Sequence, residues 1–374
     1  MNMNFRASLL MFLVLLTPLS GCLEPVTNTN DGCAVLEAST SNSTTVRILT
    51  YDIAAFSQSM LDEFTNSTGY EVELIRTDDA GGILEQMLQT QGAPQSDLAV
   101  GLDNTYLQTA LDFCLLQPHS TSAPAMDPSA IQPYDGTYAL PFDQGDVCLN
   151  VDENGLNETE RTFPEDLWEL TEPEWRGKTS FPSPVTSSPG RAFMIATIDY
   201  FEHDENQTTN AFDWWAAMAD NDARFTSGWT EAYEVHYSGG YGEWTEGHIG
   251  DSLLTVSYCH SPGVEAYYSG NSTHSTSITL ERSTFHQVEY AALTNGATNV
   301  KGANAFMDYL LSEEVNRNMP ENNLMLSVLQ NPTFPETDGY RWHTDAPTMN
   351  ANVSMERIAQ NMDTWLNQWQ TVTQ

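Results

Sequence analysis

Lysine is almost missing from this chain: among 374 residues only Lys178 and Lys301 carry an ammonium group. Basic residues number 13 against 51 acidic ones, a formal net charge of -38. A surface this poor in positive charge has little with which to neutralise phosphates, so nucleic acid is not an expected partner. The acidity reads first as a solvated surface suited to salty surroundings, and the field it creates attracts cations. Cysteine is also sparse, with five in all. After Cys22 there remain Cys33, Cys114, Cys148 and Cys259, an even number that allows one or two disulfides in an oxidising location, with connectivity left open. The chain has no G-x-S-x-G elbow, no P-loop and no H-E-x-x-H pair, which removes the commonest hydrolase and nucleotide-binding signatures. No long internal repeat is visible, and no apolar run after residue 22 approaches the length needed to span a bilayer.

What is present begins with a processing signal. The apolar run Leu9 to Leu16 is far short of the roughly 20 residues of a spanning helix, and Leu19-Ser20-Gly21-Cys22 follows it. That tetrapeptide resembles the lipobox of bacterial and archaeal lipoproteins, which implies cleavage of residues 1–22 as a signal peptide and lipid attachment at Cys22. Residues 23–45, rich in Thr, Asn and Ser, read as a flexible tether of about 25 Å typical span. The expected location is the outer face of the cytoplasmic membrane, lipid-anchored. Asn-x-Ser/Thr acceptors at Asn42, Asn66, Asn157, Asn206, Asn271 and Asn352 fit a glycosylated surface protein.

From Val46 the pattern alternates. "VRILTY" has strand character, Phe56, Met60, Leu61 and Phe64 recur at helical spacing, "YEVELIR" is a second strand, "GGILEQMLQ" a second helix and "DLAVGL" a third strand. This order predicts βαβ units and a parallel sheet, with ligands beyond the carboxyl ends of the strands. Tyr51 and Asp52, Asp78 and Asp79, and Asp103 and Asn104 fall at those ends. A single aspartate there is ordinarily a helix cap, whereas three acidic ends on one rim favour a cationic ligand. A second unit starts at "GKTSFP", turns through "TSSPG" with Thr186 and Ser187, and enters a helix; "DSLLTVSY" is a buried strand ending at Tyr258. "FHQVEYAAL" has strand character and returns the chain to the first domain, and two amphipathic helices close it, the last lined by Met355, Ile358, Met362, Trp365 and Trp369. The segment Gly239 to Gly250 reads as an inserted surface loop.

The segments "VRILTYD", "DLAVGLDN", "LPFDQGD", "TSSPG", "SGWTEAYEV", "VSYCHSP", "HQVEYAAL" and "MPENNLMLSV" occur in an order that resembles the thiamine-binding proteins of ABC importers, from about Val46 to Trp369. The resemblance implies an α/β, two-lobed type II periplasmic-binding-protein fold with a hinge of crossover strands. Residues 46–145 and 286–374 would form lobe 1, and 146–285 lobe 2. It implies a monomeric receptor, not an enzyme and without a cofactor, that passes thiamine, its phosphate or a related cationic heteroaromatic to a membrane permease. Tyr51, Trp229 and Tyr258 match the family's aromatic pocket positions and Ser187 a polar contact in the turn. The strand-end argument adds Asp52, Asp103 and Asp143, and the turn adds Thr186. Tyr233, four residues after Trp229, reads as packing. The chain departs from the family where Val264 and Leu324 replace aromatic residues, and the shorter segment after Tyr51 leaves Phe56 as the substitute for another tryptophan.

Two alternatives stand beside this reading. Tyr267 and Tyr268 resemble the tyrosine pair of ferric-ion binding proteins of the same fold. A thiaminase-like enzyme would need Cys259 or Cys148 as a free nucleophile with a carboxylate base. Adjacent Cys259 and His260 cannot serve each other, since neighbours on a strand face opposite ways.

Overall fold

The computed structural model describes residues 33–36, 43–52, 54, 56–204, 209–240, 247–270, 272–331 and 339–374. The signal peptide with Cys22, most of the tether, the acceptors Asn42, Asn206 and Asn271, and the middle of the Gly239 to Gly250 loop lie outside these residues. Asn66, Asn157 and Asn352 are exposed.

Among the described residues ten strands build one continuous sheet: β1 (Thr45–Tyr51), β2 (Glu71–Thr77), β3 (Leu98–Asp103), β4 (Leu140–Asp152), β5 (Thr179–Pro182), β6 (Arg224–Thr226), β7 (Leu254–Tyr258), β8 (Ser275–Ile278), β9 (Phe285–Leu293) and β10 (Leu326–Ser327). Their order is β2-β1-β3-β9-β4-β7-β5-β6, with β8 and β10 added along β4. The parallel trio β2-β1-β3 is the centre of the first lobe and the parallel trio β7-β5-β6 that of the second. Between them run β4 and β9, antiparallel to each other from Leu140↔Ala291 to Val147↔Phe285. These two strands are the crossover hinge, and both trios aim their carboxyl ends at the cleft beside it.

Alternation along β1 splits the first lobe into two core layers. Val46 and Ile48 pack with Phe64, Phe306 and Met307 on one side. Leu49 packs with Ile83, Met87, Leu107 and Leu111 on the other. The second lobe is held by an aromatic knot in which the Phe181 ring lies 5.8 Å from Phe193 and 4.9 Å from Trp215. The Trp214 indole N–H donates to the Leu167 carbonyl at 2.7 Å, so the ring is buried without an orphaned donor.

The last helix, Met355–Thr373, contributes to both cores. Only Met355 joins the first lobe's core, while Ile358, Met362, Trp365 and Trp369 belong to the second lobe's. Trp369 lies edge-on to Phe225 at 5.4 Å, and it is this aromatic knot that the helix's apolar stripe fits.

Two disulfides form, Cys33–Cys114 and Cys148–Cys259. The first pins the start of the described chain to the first lobe. The second joins β4 to the residue after β7, so the hinge strand and the cleft edge of the second lobe move as one piece.

Gly101 in β3 has φ +109, and a Cβ there would come within 2.4 Å of the Tyr51 ring. A register shift between Val100 and Leu102 accompanies it. Replacing Gly101 by Ala therefore imposes both backbone strain and a clash, and thermal unfolding should show a loss of about 1–3 kcal/mol.

Candidate functional site

The cleft between the lobes contains a cavity of about 210 Å³. From the first lobe and hinge its lining includes Tyr51, Asp79, Glu289 and Asn323; from the second, Ser188, Trp229, Tyr258 and His260. Among the described residues no lysine or arginine lines it, whereas Asp78, Asp79, Glu234 and Glu289 do.

Its floor is set by strand register. In β3, β9 and β4, Asp103 lies opposite Glu289, and Glu289 opposite Asp143. Partners in antiparallel strands point to the same face, so three carboxylates line up across the sheet, an arrangement that like-charge repulsion disfavours. All three are buried. Burial, joined by the neighbouring carboxylates, drives Glu289 well above the usual range, and burial likewise raises Asp143 and Asp103. Hydrogen bonds partly compensate. The Tyr51 hydroxyl donates to Glu289 Oε2 at 2.9 Å, and the Gln287 amide donates to Glu289 Oε1 at 3.1 Å. The Asn323 amide donates to Asp143 Oδ2 at 2.6 Å and to the Tyr51 oxygen at 2.9 Å. Asp143 Oδ1 has no hydrogen-bond partner among the described residues.

Aromatic rings form the walls. Trp229 stacks on Tyr233 with centroids 4.9 Å apart and 14° between planes, and its indole N–H donates to Ser257 Oγ at 2.8 Å. Tyr233 is fully buried and hydrogen-bonded to Glu265, a packing role, while Trp229 faces the cavity. A six-residue π-helical turn, Glu231–His236, follows Trp229 where a plain helical turn was expected; such wide turns recur at functional sites. Tyr258 stacks on His260 at 5.2 Å and accepts from the Gln287 amide at 3.0 Å. Burial holds His260 down to about 4, so the ring is neutral and its Nε2–H donates to the Leu324 carbonyl across the cleft at 2.8 Å.

Of the residues expected from sequence, Tyr51, Trp229 and Tyr258 line the cavity, and Asp143 and Asp103 lie in the carboxylate row behind it. Asp52, Thr186 and Ser187 do not reach it. Asp52 is exposed, and Arg76 holds its loop by donating to the carbonyls of Tyr51, Asp52 and Ala54. The Thr186 hydroxyl is spent on the Ser227 carbonyl at 2.5 Å. Ser187 is the N-cap of the helix Ser188–His203 and turns inward to accept from Gly190 N. Its neighbour Ser188 is the one that faces the first lobe. Phe56 packs edge-on to Phe306 in the first lobe's core and walls nothing. Val264 and Leu324 both line the cavity, so the departures from the family pattern fall at the site itself.

Sequence reasoning left out Glu289, Asn323, Ser188 and His260, and treated Asp79 only as one of several strand ends. Glu289 carried a signal: it is the lone acid in "FHQVEYAAL", otherwise a buried run. Tyr267 and Tyr268 pack edge to face on the helix Ser261–Ser269 and do not line the cavity. Among the described residues no group of three or more His, Cys, Asp or Glu is placed to hold a metal ion.

Two lobes, a paired-strand hinge and a cleft between them define a type II solute-binding protein. The chain belongs to the family described as bacterial extracellular solute-binding protein, whose model matches residues 59–325. The thiamine-binding periplasmic protein of Escherichia coli (strain K12) is 24% identical over 301 residues, 80% of this chain and 83% of that protein. A solved periplasmic thiamin binding protein superposes with a TM-score of 0.72 at 21% identity, covering 91% of this chain and 100% of the other. Iron-bound HitA from Pseudomonas aeruginosa superposes at 0.64 with 15% identity, covering 88% and 99%. These relatives are binding proteins for transport and not enzymes. Cys148 and Cys259, the nucleophiles a thiaminase-like enzyme would need, are bonded to each other. Among the described residues no helix is long and apolar enough to cross a membrane.

Because Glu289 and Asp143 titrate above the ordinary carboxylate range, the unliganded folded state holds protons that the unfolded chain releases. Stability of the unliganded protein should fall as pH rises from about 4 toward the raised values. Asp79, Asp103, Tyr51 and Tyr258 face the same pair and supply no positive charge. A cationic ligand favours the ionised pair, so its affinity should rise with pH, with up to about one proton released per ligand. Calorimetric titration in buffers of different ionisation enthalpy measures that release.

Proposed function

We propose that this chain is the receptor lipoprotein of an ABC importer, anchored through Cys22 on the outer face of the membrane, that captures thiamine and delivers it to the permease. The observation that carries the reading is a cleft walled by Tyr51, Trp229 and Tyr258, floored by the Asp103–Glu289–Asp143 row and lined, among the described residues, by no lysine or arginine. Thiamine joins a permanent thiazolium cation to a flat aminopyrimidine. Aromatic faces stabilise such a cation by about 0.5–2 kcal/mol each, depending on how fully water is excluded. Glu289 and Asp143 supply the countercharge, and a carboxylate accepts from the exocyclic amine. The name of the similar Escherichia coli protein, thiamine-binding, points the same way. Val264 and Leu324, where the family pattern has aromatics, leave room for a larger or differently held heteroaromatic cation.

The direct test is titration with thiamine while following tryptophan fluorescence. Saturable quenching is expected, since Trp229 faces the cavity, and its absence would overturn the reading. Trp229→Ala should weaken binding by about 0.5–2 kcal/mol, roughly two- to thirtyfold. The same change at Trp365, which packs in the second lobe's core, should lower the unfolding temperature instead.

A further inference from the structure

Trp229, a wall of the cavity contributed by the second lobe, is held at two points, and both lead to one helix, Ser261–Ser269. Its indole N–H donates to Ser257 Oγ, which shares a hydrogen bond of 2.8 Å with Ser261 Oγ. Its ring lies on Tyr233, whose hydroxyl donates to Glu265 Oε1. The other carboxylate oxygen, Oε2, accepts from the Thr273 hydroxyl. Thr273 Oγ1 in turn accepts from Ser275 N at 2.9 Å, at the start of β8, and β8 pairs with the hinge strand β4. Glu265 therefore ties the tyrosine behind the cavity wall to the base of the hinge.

Glu265 does not itself line the cavity, although Ser261 and Val264 of the same helix do. It is 4% exposed, and burial raises its carboxyl to about 7, with the charge of Asp152 adding to the rise. The groups that hydrogen-bond it here are hydroxyls and not cations. An acid is a costly group to bury in such a place, and packing alone would be served better by an apolar side chain. What the carboxylate adds is direction. Stacking sets the distance between two rings but lets them slide, and a hydrogen bond at the far end of the tyrosine removes that freedom.

We propose that Glu265 is a positioning residue for ligand binding: by holding the Tyr233 hydroxyl it fixes the plane of Trp229 against the cavity before a ligand arrives. Such preorganisation raises affinity by removing the need to order the wall on binding. The proposal takes its ligand from the thiamine reading, and its geometry from Trp229, Tyr233 and Glu265.

The test measures thiamine affinity by calorimetry for wild type, Glu265→Leu, Glu265→Gln and Tyr233→Phe, each also combined with Trp229→Ala. With Trp229 in place, Glu265→Leu and Tyr233→Phe should each weaken binding about three- to tenfold, as loss of one hydrogen bond implies. Glu265→Gln keeps an acceptor for the tyrosine hydroxyl and should restore affinity to within about twofold of wild type. With Trp229→Ala the same changes should each alter affinity by about twofold or less, because the ring they position is gone. Equal losses in both backgrounds, or wild-type affinity in Glu265→Leu and Tyr233→Phe, would overturn the proposal. Tyr233→Phe removes only a hydroxyl, so it serves should Glu265→Leu fail to fold. A second measurement dispenses with the ligand: the emission lost on Trp229→Ala reports that ring alone, and its quenching by acrylamide should rise about twofold or more in Glu265→Leu and Tyr233→Phe but not in Glu265→Gln. If thiamine binds none of the proteins, the proposed ligand fails and the quenching still decides: a rise supports the role of Glu265, and no rise removes it.

Discussion

Three carboxylates side by side in the middle of a sheet are the constraint around which this protein is arranged. Asp103, Glu289 and Asp143 occupy neighbouring positions on β3, β9 and β4, buried and facing one way. Ionised carboxylates without partners are among the costliest groups to bury, so the row persists through protons, through hydrogen bonds from Tyr51, Gln287 and Asn323, or through a ligand's positive charge. The rings of Tyr51 and Tyr258 are fixed by the same polar network. A structural core gains nothing from such a row. A cation site does.

The row's position matters as much as its charge. β4 and β9 are the strands that pass between the lobes, so the acidic floor sits on the hinge itself. Each lobe has its own packed core, two layers in one and the aromatic knot in the other, and the Cys148–Cys259 bond ties the hinge to the second lobe. Contacts across the cleft include Asp79 with Ser188, His260 with the Leu324 carbonyl, and Arg191 over Tyr106. At about 0.5–1.5 kcal/mol for a typical net hydrogen bond, such links bias the lobes toward closure without locking them. A ligand bridging both lobes adds to that bias on a comparable scale, which is what a receptor that must also release its cargo requires.

Much of this was legible in the chain. Alternating strand and helix patterns in 46–103 made the parallel trio readable, and the order of short segments identified the fold. Tyr51 and Tyr258 were accessible because each ends an apolar strand, and Trp229 because the resemblance of "SGWTEAYEV" to the family's segment implied it. Glu289 was harder, because its meaning comes from Asp143, a residue on another strand that only sheet pairing brings opposite. Ser187 and Ser188 show the limit at finer grain. Composition does not distinguish two adjacent serines, but N-cap geometry turns the first into its own helix and leaves the second facing the other lobe. The same applies to the final helix: its apolar stripe was evident, whereas its docking partner depended on where the aromatic knot lay.

The sequence by itself determined the acidity, the absence of a basic partner surface, the run of strands and helices, and the aromatic and acidic residues at strand ends, because these follow from local composition and from the two- and 3.6-residue periods of the backbone. Only the tertiary structure decided which acids share a floor, which serine meets Asp79, and which cysteines pair. Each of those depends on the register between strands far apart in the chain, and a shift of one residue would turn the carboxylates of that strand to the opposite face of the sheet.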